Sequence, residues 1–262
     1  MKYLNEKKLE KIKINKENLY VVIDFDKTIT SKTSTDSWDA SGKLLEKDFH
    51  LKLDRLYKKY GPIEVDYKIS FDEKNIAMIN WYQQCMDLYY TYNLTKKKLN
   101  ESIEISHLTF RSGAKTFLKN MNENDIPVII LSAGIGNVIE KFLRDNKCYY
   151  KNMLIISNFI VFDEDGNMKK FDNDMIHSLN KNIKGKIPHE FEEKIRKRTQ
   201  RLILGDLIED KNMVDVKEGK DIISVGFLNK NIAENLKIYR EKFDIVLTNE
   251  DANFDVVEKI LF

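Results

Sequence analysis

The sequence predicts an α/β protein, a doubly wound, Rossmann-like parallel sheet with a helical cap inserted after its first strand, and three observations lead there. Short apolar, β-branched runs recur at residues 19–23, 128–131, 154–156, 202–204, 222–225 and 245–247, most of them separated by helix-length stretches. Parallel strands joined by crossover helices require that rhythm. The first two runs, however, are separated by residues 24–127 without a comparable strand, far more chain than an ordinary crossover uses. Finally, 262 residues exceed one average domain without reaching two, as one core with an insertion would.

Each element has its own local reason. Residues 1–17 are lysine-rich with isolated apolar positions at Leu4, Leu9 and Ile12, the pattern of a short amphipathic helix and not of a secretory signal. In the insertion, Leu45, Phe49, Leu53 and Leu56 fall at helical spacing, as do Ile79, Tyr82, Met86 and Tyr89, and Leu99 with Ile103 marks a third helix. These stripes read as the interior of a cap spanning 32–110, which leaves 1–31 and 111–262 as the core. Residues 159–170 break the alternation with a strand pair around Asp165-Gly166, a dipeptide suited to the positive backbone angles of a tight hairpin.

Composition narrows the function classes. Forty-four Lys plus Arg against 42 Asp plus Glu give a net charge of +2, so bulk charge points to no nucleic-acid partner. Lys194, Arg196, Lys197, Arg198 and Arg201 form a basic cluster that reads as a solvated helix face. Cys85 and Cys148 offer neither a disulfide framework nor a zinc site, which fits a reducing cytosol. No apolar run approaches the ~18 residues of a membrane span. The expectation is a soluble, cytoplasmic protein without a membrane partner, a monomer or weak dimer.

Chemistry concentrates at the predicted strand ends, where parallel sheets place their sites. The first strand ends Asp24-Phe25-Asp26-Lys27-Thr28, and alternate residues of an extended segment share a face, so the two carboxylates can converge on one ligand. Adjacent anions repel, and a hard cation such as Mg²⁺ is the usual remedy. A solvated strand end would look the same. The second strand runs into Ser132-Ala133-Gly134-Ile135-Gly136-Asn137 ahead of a helix from Val138, a hydroxyl and amides placed as an anion site or as a helix cap. The fourth ends Leu204-Gly205-Asp206, where glycine lets the backbone approach; Asp206 is a metal ligand or an N-cap, and Asp210 sits one step further out.

This ordered set, with a lysine between its second and third parts, resembles the haloacid dehalogenase-like superfamily. Ile63-Glu64-Val65-Asp66, Trp81-Tyr82, Ser132 to Gly136, Ser157-Asn158-Phe159, Ile176-His177, Asn180-Lys181 and Asp244 to Leu247 are similar to the cytosolic pyrimidine 5′-nucleotidases of type III, a resemblance running from about Leu19 to the C-terminus. It implies a Mg²⁺-dependent 5′-nucleotidase acting on nucleoside monophosphates, pyrimidine ones foremost. Asp24 would attack phosphorus and Asp26 would serve as acid and base. Mg²⁺ would be held by the Asp24 and Asp206 carboxylates and the Asp26 main-chain carbonyl, with Asp210 and Thr28 as secondary positions. Ser132, the Ala133 amide and Lys181 would hold phosphate, with Lys184 a rival lysine. Glu64 would contact the base, and Cys85 stands where the family has a second, serine contact. Residues 31–42 depart from the family's cysteine-rich segment, and Trp38 there either lines the base pocket or anchors the cap. His177 is expected to be structural. The P-type ATPases also use Asp-Lys-Thr, but they need membrane helices and a Gly-Thr continuation, whereas Ile29-Thr30 follows here. The rivals are a phosphatase for another small phosphoester, a nucleic-acid end phosphatase and a catalytically idle nucleotide binder; phosphate transfer to a second nucleoside is a possible side activity.

Overall fold

The computed structural model describes residues 1–10, 13–66, 68–171, 175–215 and 221–262, with only the backbone of Lys7 and Lys170. The chain opens with β1 (Lys2–Leu4) and a single helical turn α1 (Glu6–Leu9), then enters β2 (Leu19–Ile23). Four helices follow: α2 (Ser37–Ser41), α3 (Lys47–Val65), α4 (Phe71–Thr91) and α5 (Lys96–Ile105). Next come α6 (Ala114–Glu123), β3 (Val128–Ile135), α7 (Gly136–Asp145), β4 (Met153–Asn158), and the hairpin β5 (Ile160–Phe162) with β6 (Met168–Phe171). The chain closes with α8 (His189–Ile195), β7 (Gln200–Gly205), β8 (Asp221–Leu228), α9 (Ile232–Lys242), β9 (Ile245–Thr248) and α10 (Phe254–Leu261).

Seven strands form one sheet in the order β1-β9-β8-β7-β2-β3-β4, all parallel except β1, which pairs antiparallel with β9. All six expected strands are therefore present. The expected amphipathic helix over 1–17 is not: three of those residues form β1, whose pairing of Tyr3 with Val246 satisfies an edge that would otherwise stay open. Ile12 lies outside the described residues.

Alternation along β2 builds two layers. Leu19, Val21 and Ile23 pack with Phe117 of α6, Phe142 of α7 and Phe254 of α10, while Tyr20 and Val22 pack with Phe191 and Ile195 of α8. Buried on both faces, β2 is apolar throughout, as a central parallel strand must be. Since β3 lies on one side of β2 and β7 on the other, the strand order reverses at β2 and opens a crevice at the carboxyl ends of these three strands.

The helices α2 to α5 share an apolar cluster of their own around Phe49, Tyr89, Leu94 and Leu99, which extends to Ile135 and Val138 of the core and to the β5–β6 hairpin. On α4 the buried row is Met78, Tyr82, Cys85 and Tyr89. Ile79, expected inside, is 50% exposed, because the helix turns its buried stripe by one residue at that end. In the hairpin only Gly166 takes a positive φ, +81°, since the turn is a longer loop closed by Gly166 N–H to Asp163 O, with a register shift at Phe162. No helix among the described residues is long and apolar enough to cross a membrane.

Part of the basic cluster is structural. Arg198 donates to the carbonyls of Lys16 and Asp125 and, at 2.9 Å, of Leu19, tying the entrance of β2 to the loop before β3; Arg201 bonds the Tyr20 hydroxyl. Lys197 is exposed. Arg198→Ala is therefore expected to lower the unfolding free energy by about 1–2 kcal/mol, and Lys197→Ala by less than about 0.5 kcal/mol, as read from urea denaturation.

Candidate active site

Asp24 follows the last residue of β2 and is 5% exposed. The chain then turns sharply through Phe25–Ile29, with Lys27 at φ +58°, a left-handed conformation that a non-glycine residue adopts only when its surroundings hold it. They do. The Lys27 amide donates to Thr30 Oγ1 at 2.8 Å, and its carbonyl accepts from the Arg111 guanidinium and from Asn229 Nδ2 at 3.0 Å. Arg111 also donates to Thr28 O and Ala252 O, both at 2.8 Å, and stacks on Phe227, so one buried cation fastens the turn.

Asp206 lies just past the end of β7, and Asp210 in the short helical turn that follows. Oxygens of Asp24, Asp206 and Asp210 lie within 4.8 Å of one another. Asp210 does not sit further out: it is 1% exposed and accepts from the amides of Asp206 and Leu207, both at 3.0 Å. Gly205 makes this possible, because a Cβ there would stand 2.2 Å from Asp210 Oδ2. Lys181 Nζ joins the cluster, 2.5 Å from Asp24 Oδ1 and 2.6 Å from Asp210 Oδ1. Lys184 is exposed, so the fold brings in Lys181 and leaves its rival outside.

The electrostatics follow from burial. Desolvation, with Asp210 adding and Lys181 opposing, pushes Asp24 up to about 6. Asp206 is raised well above its ordinary value by burial and by the neighbouring charges of Asp24 and Asp210. Burial pulls the Lys181 ammonium down, but the carboxylates of Asp210 and Asp24 outweigh it and hold it above its ordinary range. Three carboxylates against one ammonium leave a negative, all-oxygen pocket. That donor set fits a hard divalent cation, with the Asp24 and Asp206 oxygens and the main chain of the Phe25–Ile29 turn as the groups at hand.

Opposite this cluster, β3 loses its regular register between Leu131 and Ile135. Ser132, Ala133 and Gly134 therefore belong to an irregular strand end, and the helix starts at Gly136, ahead of the expected Val138. The Gly134 amide donates to Ser132 Oγ at 3.0 Å, leaving the hydroxyl proton free for another acceptor. The Ala133 carbonyl accepts from Trp38 Nε1 at 3.1 Å and from Asn158 Nδ2 at 3.0 Å. Asp26, half-buried, accepts from Ser37 at both carboxylate oxygens. Burial, with Asp36 and Asp24 adding and Ser37 opposing, moves its pKa up to about 7.

A cleft of about 700 Å³ rises from these groups between the core and the α2–α4 helices, lined among others by Trp38, Tyr57, Glu64, Trp81, Tyr82 and Cys85. Trp38 both lines it and anchors α2, its ring 5.3 Å from Tyr82 in an edge arrangement. Glu64 occupies the last turn of α3, where burial raises its pKa and the Ser178 hydroxyl opposes the shift. Cys85 is 5% exposed, and burial pushes its thiol up to about 12. His177 is buried with its ring against Tyr82; burial lowers its pKa to about 4, and its Nδ1 accepts from the Leu179 amide. Thr28 is buried beside Asp24. The sequence reading missed Ser37, Arg111 and Asn229. Arg111 and Asn229 act across long sequence separations, Ser37 reaches Asp26 from 11 residues away, and none carries a local signal beyond being polar.

A carboxylate whose folded pKa is raised stabilises the fold below its unfolded value and loses that contribution as pH rises through the folded one. For metal-free protein, Asp206→Asn is therefore expected to raise the melting temperature by at least about 2 °C at pH 7.5 and to change it little at pH 4, where the native carboxyl is already protonated.

A family model for pyrimidine 5′-nucleotidase (UMPH-1) matches residues 25–262. A 7-methylguanosine phosphate-specific 5′-nucleotidase B of Xenopus laevis is 34% identical over 254 residues, which is 94% of this chain and 87% of the relative. The crystal structure of cytosolic 5′-nucleotidase IIIB bound to cytidine superposes with a TM-score of 0.85 at 27% identity, over 99% of this chain and 92% of that one. A substrate-bound phosphoserine phosphatase shares the fold, with a TM-score of 0.62 at 16% identity over 95% of this chain and 100% of the other. With nearly its whole length matched in sequence and in architecture, the chain belongs to the pyrimidine 5′-nucleotidase (UMPH-1) family, hydrolases of phosphomonoesters on a haloacid dehalogenase-like fold.

Proposed function

We propose that this protein is a Mg²⁺-dependent 5′-nucleotidase that hydrolyses nucleoside 5′-monophosphates through a phosphoaspartyl intermediate, pyrimidine nucleotides foremost. The observation that carries the reading is the meeting of Asp24, Asp206, Asp210 and Lys181 with Ser132 at the floor of an aromatic cleft. Asp24 is the nucleophile: its carboxylate oxygen forms a bond to phosphorus as the bond to the nucleoside O5′ breaks. Asp26 gives that oxygen its proton, then takes one from the water that attacks the aspartyl phosphate, releasing phosphate and restoring Asp24. Ser132 Oγ, the Ala133 amide and the Lys181 ammonium receive the phosphoryl oxygens. The Asp24 and Asp206 carboxylates and the Asp26 carbonyl would hold Mg²⁺, whose charge offsets that developing on those oxygens. Asp210 orients Lys181 and the Asp206 backbone, and Thr28 backs Asp24.

Residues 32–110 act in this reading as a cap over the nucleotide, leaving and rejoining the core where Thr30 pairs with Phe110. Glu64 faces an exocyclic amino group or a cationic base edge, with Cys85 deeper in the wall. A second substrate reading, 7-methylguanosine monophosphate, draws on the name of the Xenopus relative and on Asp36, Asp39 and Glu64, acidic groups that line the cleft beside Trp38 and Trp81. A cationic base over aromatic rings gains from both. Cytoplasmic residence accords with the cytosolic structural relative.

Phosphate release from CMP, UMP and 7-methylguanosine monophosphate tests the reading. Activity is expected with Mg²⁺, to vanish in EDTA, and to fall by about 10³-fold or more in Asp24→Asn. A binding protein would retain affinity and release no phosphate in any arm. Glu64→Ala should lower kcat/KM for the preferred nucleotide by about tenfold or more, and far less for p-nitrophenyl phosphate; equal loss on both would contradict a base contact.

A further inference from the structure

Ser37 touches no part of the cleft chemistry assigned above except one residue, and it touches that residue twice. Its amide donates to Asp26 Oδ1 at 2.9 Å and its hydroxyl to Asp26 Oδ2 at 2.5 Å. An ionised carboxylate can only accept, so the Ser37 hydroxyl proton points at Asp26; the Ile135 amide donates to the same Oγ at 3.1 Å and fills one of its two lone pairs. Ser37 is fully buried, and Gly134 seals the contact: a Cβ there would lie 2.0 Å from Ser37 Oγ and 2.7 Å from Asp26 Oδ2. Three segments, the turn after β2, the first residue of α2 and, far along the chain, the irregular end of β3, thus lock on one carboxylate. The neighbouring residue reinforces the lock, because Trp38 Nε1 binds the Ala133 carbonyl and its own carbonyl accepts from the Tyr89 hydroxyl at 2.5 Å.

We propose that Ser37 is the positioning residue for proton transfer in this enzyme, its two bonds fixing the Asp26 carboxyl so that its remaining lone pairs face the leaving oxygen and later the attacking water. The proposal rests on Asp26 as acid and base. It makes the inserted helices a participant in the chemistry, since Ser37 comes from α2 and not from the sheet. Each Ser37 bond uses one lone pair of an Asp26 oxygen, so the transferable proton sits on a lone pair that Ser37 leaves open, and transfer to O5′ breaks no bond to Ser37.

The test separates leaving groups. Departure of a nucleoside alkoxide needs a proton; departure of p-nitrophenolate does not. In rapid-mixing experiments on the Mg²⁺-loaded enzyme, Ser37→Ala is expected to slow the first-turnover release of nucleoside from CMP, or from the best substrate in the panel, by about tenfold or more. The first-turnover release of p-nitrophenol should fall by less than threefold. If Ser37→Ala does not fold, Ser37→Cys, of similar shape but a feeble donor, takes its place in the comparison. Equal slowing of both leaving groups, or of neither, overturns the proposal. Asp26→Asn measured alongside keeps the two readings apart: if it lacks the same leaving-group selectivity, the assignment of Asp26 fails, whereas selective loss in Asp26→Asn with none in the Ser37 variants defeats the positioning role alone.

Discussion

The structure depends on holding several carboxylates in a place with too little water to solvate them. Asp24, Asp206 and Asp210 meet at the reversal of strand order beside β2 with their oxygens within 4.8 Å. Such a group is costly in a folded chain unless cations and aligned donors compensate it. Lys181 supplies the cation, the Asp206 and Leu207 amides supply donors to Asp210, and Asn229 reaches Asp206 at 3.2 Å. What remains uncompensated is what a divalent cation and a phosphoryl group would use.

Close approach is the second requirement. Gly205 and Gly134 stand where any side chain would strike Asp210 or the Asp26–Ser37 pair, so each glycine serves its neighbours' contacts more than its own backbone freedom. Lys27, with φ +58°, shows the converse: a strained residue held by bonds to Arg111, Asn229 and Thr30. The turn that carries Asp26 is thereby held before any ligand arrives, and pre-organised donors and acceptors cost no rearrangement during reaction.

The inserted helices do more than cover the cleft. Trp38 fastens the Ala133 carbonyl, Glu64 projects from the last turn of α3, and Lys74 of α4 approaches Glu209 of the core at 3.7 Å, both side chains largely buried. The apolar cluster around Phe49 and Tyr89 continues without a break to Ile135, Val138 and the hairpin. Cleft-lining groups of these helices and groups at the strand ends are thus joined by packing as well as by hydrogen bonds.

Much of this was legible in the sequence, for a physical reason. A buried parallel strand must be apolar on both faces, so β2 declares itself, and a carboxylate pair directly after it can lie only at the strand's carboxyl end. The same logic located Ser132 and Asp206, whereas Lys181 was pointed to only by the family resemblance of Asn180-Lys181. Other features had no local signal. Residues 2–4 form a strand only because β9 offers an edge, and Ile79 faces outward only because of how α4 packs. Asp210 is central and not peripheral because Gly205 lets the following turn fold back over it. Periodicity and strand-end chemistry depend on neighbours in the chain, and the sequence alone determines them. Which of many lysines pairs with Asp24, which serine grips Asp26 and which arginine fastens the turn depend on partners up to 157 residues apart, and only the tertiary structure decides among them.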